Sequence, residues 1–278
     1  MIAGSNKSIF RNSKSLYMLV FAALSLFLVG GNLRADFNGS LFIIKFLGVI
    51  ATTIFVYSLN DVLDEERSIV EHFKSLRLGG LLLPLSAIGT YLYIEQNSAF
   101  WLLFLIFSVG VIYSLELPAI ARFHRFKNLF VLKNIFISFG WGILVLFGFG
   151  SIDQNTVVNI ALFSALQVFI GSVMRDISDC DSDRDHGVRT LPVVYGELKT
   201  YKILHVMNLL SWALLLAFHY FENSLHHFYL SLILVCLWRG FILYKASQQS
   251  SLKDRYLQTY NLFTCFIILL VVSGALWI

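Results

Sequence analysis

The sequence predicts an all-α protein that crosses a membrane many times. Three observations carry that prediction. Of 278 residues, 57% are hydrophobic and only 14% charged, whereas a soluble domain of this length exposes far more charge. Mean hydropathy is +0.73. The apolar runs are about 20 residues long, enough for a helix to cross roughly 30 Å of hydrocarbon, and they lack the alternation of a membrane barrel strand.

Taken in order, spans are expected at 15–33, 40–60, 79–96, 98–117, 127–150, 155–178, 199–222, 226–246 and 256–277, nine in all. The first is expected to be a span rather than a cleaved signal, because it is long and "GGNLRADFNGS" after it has no small-x-small site. The third and fourth are joined by only a few residues, so they should be antiparallel neighbours. The chain shows no low-complexity tract and no second unit, and 1–278 is read as a single transmembrane domain.

Lysine and arginine set the expected orientation. Lys7, Arg11 and Lys14 precede the first span. Arg67, Lys74 and Arg77 follow the second, and Arg122, Arg125 and Lys127 the fourth. Arg184, Arg189 and Lys199 follow the sixth, with Arg175 at its edge, and Lys253 and Arg255 follow the eighth, with Lys245 at its edge. The opposite side offers Arg34. The N-terminus is therefore expected inside, at a bacterial inner or cell membrane, and the C-terminus outside. The basic excess is read as a topology signal with lipids as its surroundings; no nucleic acid partner is expected. Cys180, Cys236 and Cys265 do not form a disulfide framework or a metal motif. The pair His226–His227 falls at a predicted outer interface and is read as interfacial.

Charge gathers in two places. "RDISDCDSDRDHGVRTLP" (175–192) holds five aspartates, and "YSLNDVLDEERSIVEHFKSLRLGG" begins at Tyr57. When Asp61 is aligned with Asp176, Asp64 falls on Asp179, Ser68 on Asp183 and Lys74 on Arg189. Each cluster follows an apolar span on the same predicted side, and four spans separate them, which suggests two structural repeats. On a helix, positions i, i+3 and i+7 share a face, so Asp176, Asp179 and Asp183 are expected to project together, as are Asp61 and Asp64. Stacked carboxylates repel unless a cation lies between them, and hard oxygen ligands suit magnesium completed by phosphate oxygens. A basic rim would then contact the phosphates. Solvated loops are the bland reading of one such cluster; two with matched spacing favour a diphosphate site.

At these residues the sequence resembles the UbiA superfamily of membrane prenyltransferases. The family's first motif, NDxxDxxxD, is matched by "NDVLDEERS" except at its last position, Ser68. The second, DxxDxxxD followed by GxRTLP, is matched in full by "DISDCDSDRDHGVRTLP". "YSLELP" and "RFHRFKNLFVLKNIFISFGWG" (122–142) are similar to further family segments. "EHFKSLRLGG" lacks the proline of the family's "HPxKxxRP".

The resemblance implies a UbiA-like bundle of nine transmembrane helices with two Asp-rich cytoplasmic loops and a cavity open to the bilayer. It implies magnesium as cofactor and a polyprenyl diphosphate as donor. The diphosphate leaves, an allylic carbocation forms, and an acceptor, expected to be aromatic, captures it. Carried over by position, Asn60, Asp61 and Asp64 form one half of the metal and diphosphate site, and Asp176, Asp179 and Asp183 the other. Lys74, Arg77, Arg122, Arg125, Lys133, Arg175 and Arg189 are the candidate diphosphate contacts. Lys133 lies inside a predicted span and is read as facing the cavity rather than snorkelling. Tyr57, Tyr113 and Trp141 are candidate π-faces toward a carbocation, although any one aromatic in so aromatic a chain is more often packing. Lys45 and Arg239 stay unexplained, and Glu95 and Glu116 are read as interfacial. A terpene cyclase of the same fold and a polyprenyl-phosphate phosphoribosyltransferase are the alternative activities. An ion-coupled transporter fits less well, because its carboxylates belong at the bilayer midplane rather than at helix ends.

Overall fold

The structure, a computed structural model, describes residues 5–32, 39–64, 77–95, 97–114, 129–150, 155–221 and 226–248. Ten helices occupy them. They are α1 (Ser5–Asn32), α2 (Gly39–Asp64), α3 (Arg77–Ile94), α4 (Ala99–Ser114), α5 (Leu132–Phe149), α6 (Asn155–Ser178), α7 (Cys180–Asp185), α8 (Leu191–Tyr195), α9 (Glu197–Phe221) and α10 (His226–Gln248). The eight long helices stand where the first eight spans are expected, and α6 has the expected bounds. The ninth expected span lies outside the described residues.

Among the described residues, four segments are long and apolar enough to cross a membrane: Gly39–Asn60, Leu132–Phe149, Asn155–Ser178 and Glu197–Ala217. Shorter apolar stretches run over Leu19–Gly31, Leu82–Ile94 and Ala99–Ser114. The exterior is apolar, with Leu83, Trp101, Phe104, Phe139, Leu162 and Leu209 all exposed, while Lys45, Asn134, Gln167, Asp176, Asn208 and Arg239 are buried. Apolar outside and polar inside is the distribution a bilayer solvent selects, so the chain is built as an integral membrane protein.

The neighbour pattern repeats. α1 packs on α2, α2 on α3 and α3 on α4; likewise α5 packs on α6, α6 on α9 and α9 on α10. The halves meet where α1 crosses α5, and glycine makes that crossing possible. A Cβ on Gly148 would stand 2.0 Å from the Phe27 carbonyl oxygen, and one on Gly30 would stand 1.9 Å from that of Val145. Close backbone approach of this kind replaces the hydrophobic drive that lipid does not supply. The same interface carries a buried aromatic cluster, with Phe27 5.2 Å from Phe42 and 5.9 Å from Phe147 between ring centroids. Lys45, 2% exposed, lies with its ammonium 5.7 Å from the centre of the Phe147 ring, a cation–π contact.

Arg239 on α10 is also accounted for. Its Nε donates to Gln167 Oε1 at 3.0 Å, and a terminal nitrogen donates to the Gln167 backbone carbonyl at 2.9 Å. Gln167 Nε2 donates to Asn208 Oδ1 at 3.3 Å, and Asn208 Nδ2 donates to the Cys236 carbonyl at 2.9 Å. This chain of buried polar contacts ties α6, α9 and α10 together.

Candidate active site

The second acidic segment leaves α6 almost without a break. Asp179 N–H donates to the Arg175 carbonyl at 3.1 Å, and Asp183 N–H to the Asp179 carbonyl at 2.8 Å. The helical path continues through Asp179 into α7 and stops at Gly187, whose φ of 69° turns the chain toward Arg189. Thr190 and Pro192 then open α8.

The three motif aspartates do not share one environment. Asp176 is buried, 6% exposed, at the end of α6. Lys133 Nζ donates to its Oδ1 at 2.8 Å, and Asn134 Nδ2 donates to its Oδ2 at 3.0 Å. Asn134 also donates to Ser172 Oγ at 2.9 Å. The first turn of α5 thus reaches across to the last turns of α6 through two adjacent side chains. Asp183 lies within coulombic range of Asp176, and its Oδ2 is buried with no hydrogen-bond partner. Asp179 turns aside: Arg175 Nε donates to its Oδ2 at 3.1 Å on the exposed surface. Arg184 pairs with Asp181 at 3.2 Å, also exposed. Exposed pairs of this kind hold little energy and open readily. Among the described residues no three of His, Cys, Asp and Glu converge as a preformed metal cage.

In this geometry Lys133 and Arg175, expected at the phosphates, are engaged with carboxylates. Arg189 is exposed beyond the Gly187 turn. Asp61 and Asp64 belong to the last turn of α2, and Arg77 is the first residue of α3, but their side chains lie outside those described. Lys74, Arg122, Arg125 and Ser68 lie outside the described residues altogether. Asn134 was not singled out from the sequence; an asparagine beside a lysine at the start of an apolar run is the signal that could have found it.

The helix that carries Lys133 and Asn134, α5, also walls a cavity. It is about 170 Å³ in volume and lies among α1, α2, α4 and α5. Asn60 lines it one residue before Asp61, and Phe136 lines it one turn after Lys133. Tyr57, Tyr113 and Trp141 all line the same space. The Trp141 indole N–H, which can only donate, hydrogen-bonds the Tyr57 hydroxyl. Gly110 and Gly140, both in the lining, let the helices around the cavity pack closely: a Cβ on Gly110 would strike the Val56 side chain of α2, and one on Gly140 would lie 3.3 Å from Val109 Cγ1 of α4. A greasy, aromatic cavity walled by the helix that also carries the Lys133 ammonium and the Asn134 amide suits a ligand with an apolar body and an anionic head.

A helical membrane bundle in which one helix carries both the lysine of a buried lysine–aspartate pair and a wall of an aromatic cavity belongs to the class of membrane proteins built to hold an amphipathic, anionic ligand. The sequence profile of the UbiA prenyltransferase family matches residues 18–267, and the chain belongs to that family. It is 26% identical over 267 residues to the digeranylgeranylglyceryl phosphate synthase of Methanococcus vannielii, covering 90% of this chain and 92% of that one. It is 32% identical over 90 residues to the protein of the same name from Haloquadratum walsbyi, a match that spans 32% of that relative's length. The fold matches that of a UbiA homolog from Archaeoglobus fulgidus, solved bound to GPP and Mg2+, with a TM-score of 0.69 at 15% identity, covering 94% of this chain and 97% of that one.

Proposed function

We propose that the protein transfers a prenyl group from a polyprenyl diphosphate to an acceptor within the membrane, with chain 1–278 acting as one transmembrane unit. The observation that carries this reading is that α5 bears both the Lys133 and Asn134 side chains that hold Asp176 and, from Phe136 onward, one wall of the cavity that Asn60, Tyr57, Tyr113 and Trp141 line. The solved relative with GPP and Mg2+ supports the donor class and the metal.

The residues present fit magnesium. Asp183 holds a buried carboxylate oxygen without a partner, and Asp176 beside it offers oxygen donors now held by Lys133 and Asn134. Asp176, Asp183 and a freed Asp179 would hold the metal on one side, and Asp61 and Asp64 on the other. When bound, magnesium supplies charge neutralisation to the departing diphosphate. The protein's own groups do the rest. Lys133 would exchange Asp176 for a phosphate oxygen, and Arg175 would exchange Asp179 for one, so that cations face the charge as it develops. Asn60 would orient the diphosphate at the mouth. Tyr57, Tyr113 and Trp141 would present π-faces to the allylic cation, and the apolar wall would keep water from it. The lysine and arginine distribution supports a cytoplasmic location for the acidic helix ends.

The relatives' name favours a glyceryl phosphate acceptor over the aromatic one expected from sequence. The test incubates purified protein with magnesium, geranyl or geranylgeranyl diphosphate, and either a glyceryl phosphate ether lipid or 4-hydroxybenzoate, and reads products by mass spectrometry. A magnesium-dependent prenylated acceptor is the expected result. Release of a cyclised hydrocarbon without acceptor, or full turnover in EDTA, would overturn the proposal.

A further inference from the structure

Two lysines stand on the exposed face of α9. That face is otherwise apolar: Leu198, Val206, Leu209 and Leu216 are exposed on it, while Tyr201, Leu204, Ser211 and Leu215 are buried on the opposite one. At about 100° of helix rotation per residue, Lys202 lies within about 40° of each of those four exposed residues. Lys199, also exposed, lies about 60° to one side of it. Both belong to Glu197–Ala217, a segment long and apolar enough to cross a membrane.

The apolar residues around them set their depth. Leu198 is 69% exposed and lies nearer the start of α9 than Lys202. Val194 and Tyr195, just before it on α8, are exposed as well. Tyr195 rests on Phe130, with ring centroids 6.1 Å apart, as an interfacial aromatic does. The headgroup layer therefore begins near Tyr195 and Leu198, and the Lys202 backbone stands about 6 Å below Leu198, four residues at 1.5 Å each. An ammonium left at that depth in hydrocarbon is costly. Helical side chains lean toward the helix N-terminus, and the five bonds of a lysine stem cover roughly 6 Å. Lys202 can thus return its charge to the level of Leu198, beside that of Lys199. Neither ammonium makes a hydrogen bond or an ion pair with a described residue. Glu197, the carboxylate in the first turn of α9, lies on the far side of the helix from both, about 140–160° around.

We propose that Lys199 and Lys202 form a headgroup site for an anionic phospholipid in the leaflet at the start of α9. The phosphate lies between the two ammonium groups, and the acyl chains run along Val206 and Leu209. Side chains at i and i+3 are neighbours, with Cβ atoms about 5–6 Å apart, a spacing that one phosphate bridges. A zwitterionic lipid brings its own cation beside the phosphate, so charge favours an anionic one. α9 packs on α8, and α8 on α6 and α7, so the lipid sits at the corner next to the second acidic segment. The site does not draw on the prenyl diphosphate reading and is tested apart from it.

The test titrates the intact protein in dodecyl maltoside with dioctanoyl phosphatidylglycerol or dioctanoyl phosphatidylcholine. Bound lipid is counted by native mass spectrometry, and the unfolding midpoint is followed alongside. One basic residue at an anionic surface is worth about fivefold in affinity, so the pair should favour phosphatidylglycerol by at least about tenfold. Lys199→Gln with Lys202→Gln should cut the preference below about threefold and leave the lipid-free midpoint unchanged, because both side chains are exposed. The corresponding pair of Lys→Arg substitutions should keep the preference. Lys245→Gln, which removes the same charge from the last turn of α10, should keep it too. A double Gln variant that retains the preference, or a Lys245→Gln variant that loses as much of it, makes the selectivity a matter of net charge and overturns the site. Displacement of phosphatidylglycerol by an equal concentration of inorganic phosphate shows a site for free anions and overturns the lipid.

Discussion

The Lys133–Asp176 pair can be weighed by removing each partner in turn. The side chains are 15% and 9% exposed and 2.8 Å apart, so solvent screens them little. Lys133→Met would leave the Asp176 carboxylate buried with Asn134 as its described donor, and Asp176→Asn would leave an ammonium without its anion. Removing one member of a buried pair costs about 3–5 kcal/mol, because the remaining charge stays desolvated. The Asn134 hydrogen bond and the position at the first turn of α5 place each single variant at the low end, about 3 kcal/mol. The double variant removes both charges, so a coupling of about 2 kcal/mol leaves it only about 4 kcal/mol below the parent. The assay is a double-mutant cycle on unfolding in detergent, where about 3 kcal/mol lowers the midpoint by about 6–12 °C. Purely additive losses, with coupling under about 0.5 kcal/mol, would mean that the two side chains do not meet in solution, and the account of how α5 is fixed to α6 would fall.

Three further outcomes are expected. Gly148→Leu should destabilise the protein by at least about 2–3 kcal/mol, since the new side chain meets the Phe27 backbone rather than a movable group; an unchanged unfolding midpoint would remove the close crossing of α1 and α5. Asp179→Ala should abolish transfer at saturating magnesium while Asp181→Ala leaves it nearly intact, because Asp181 only pairs with Arg184 on the surface; equal loss in both would show that the acidic segment acts through bulk charge. A Ser182→Cys variant lacking the native cysteines should react with an impermeant maleimide from the cytoplasmic side, and labelling from the opposite face alone would invert the proposed orientation.

Long apolar runs made the helices legible, because a bilayer requires every backbone group to be satisfied within its own segment. The shorter helices α7 and α8 sit inside what reads as a polar loop, and only Gly187 and Gly196 at their ends hint at them. Tyr57, Tyr113 and Trp141 could be picked out by their closeness to motifs, and they do share one cavity. The pairing of Arg175 with Asp179 was readable from i, i+4 spacing alone, but the phosphate reading competed with it. The Lys133–Asp176 and Arg239–Gln167 contacts were not legible. They join residues 43 and 72 positions apart, and nothing local marks a polar side chain's distant partner.

Arg239 also bears on how the chain reaches its membrane. An arginine near the middle of a helix costs about 2.5–3.5 kcal/mol when that helix leaves the translocon alone. The groups that receive this guanidinium belong to α6, made well before α10 and apolar enough to settle on its own. Biogenesis therefore acquires a direction: the early helix holds the socket, and the late one enters by plugging into it. A nascent chain whose Gln167 is replaced by leucine keeps the backbone carbonyl but loses the side-chain acceptor, so a smaller fraction of α10 should insert, a defect visible in the amount of protein made rather than in a catalytic assay.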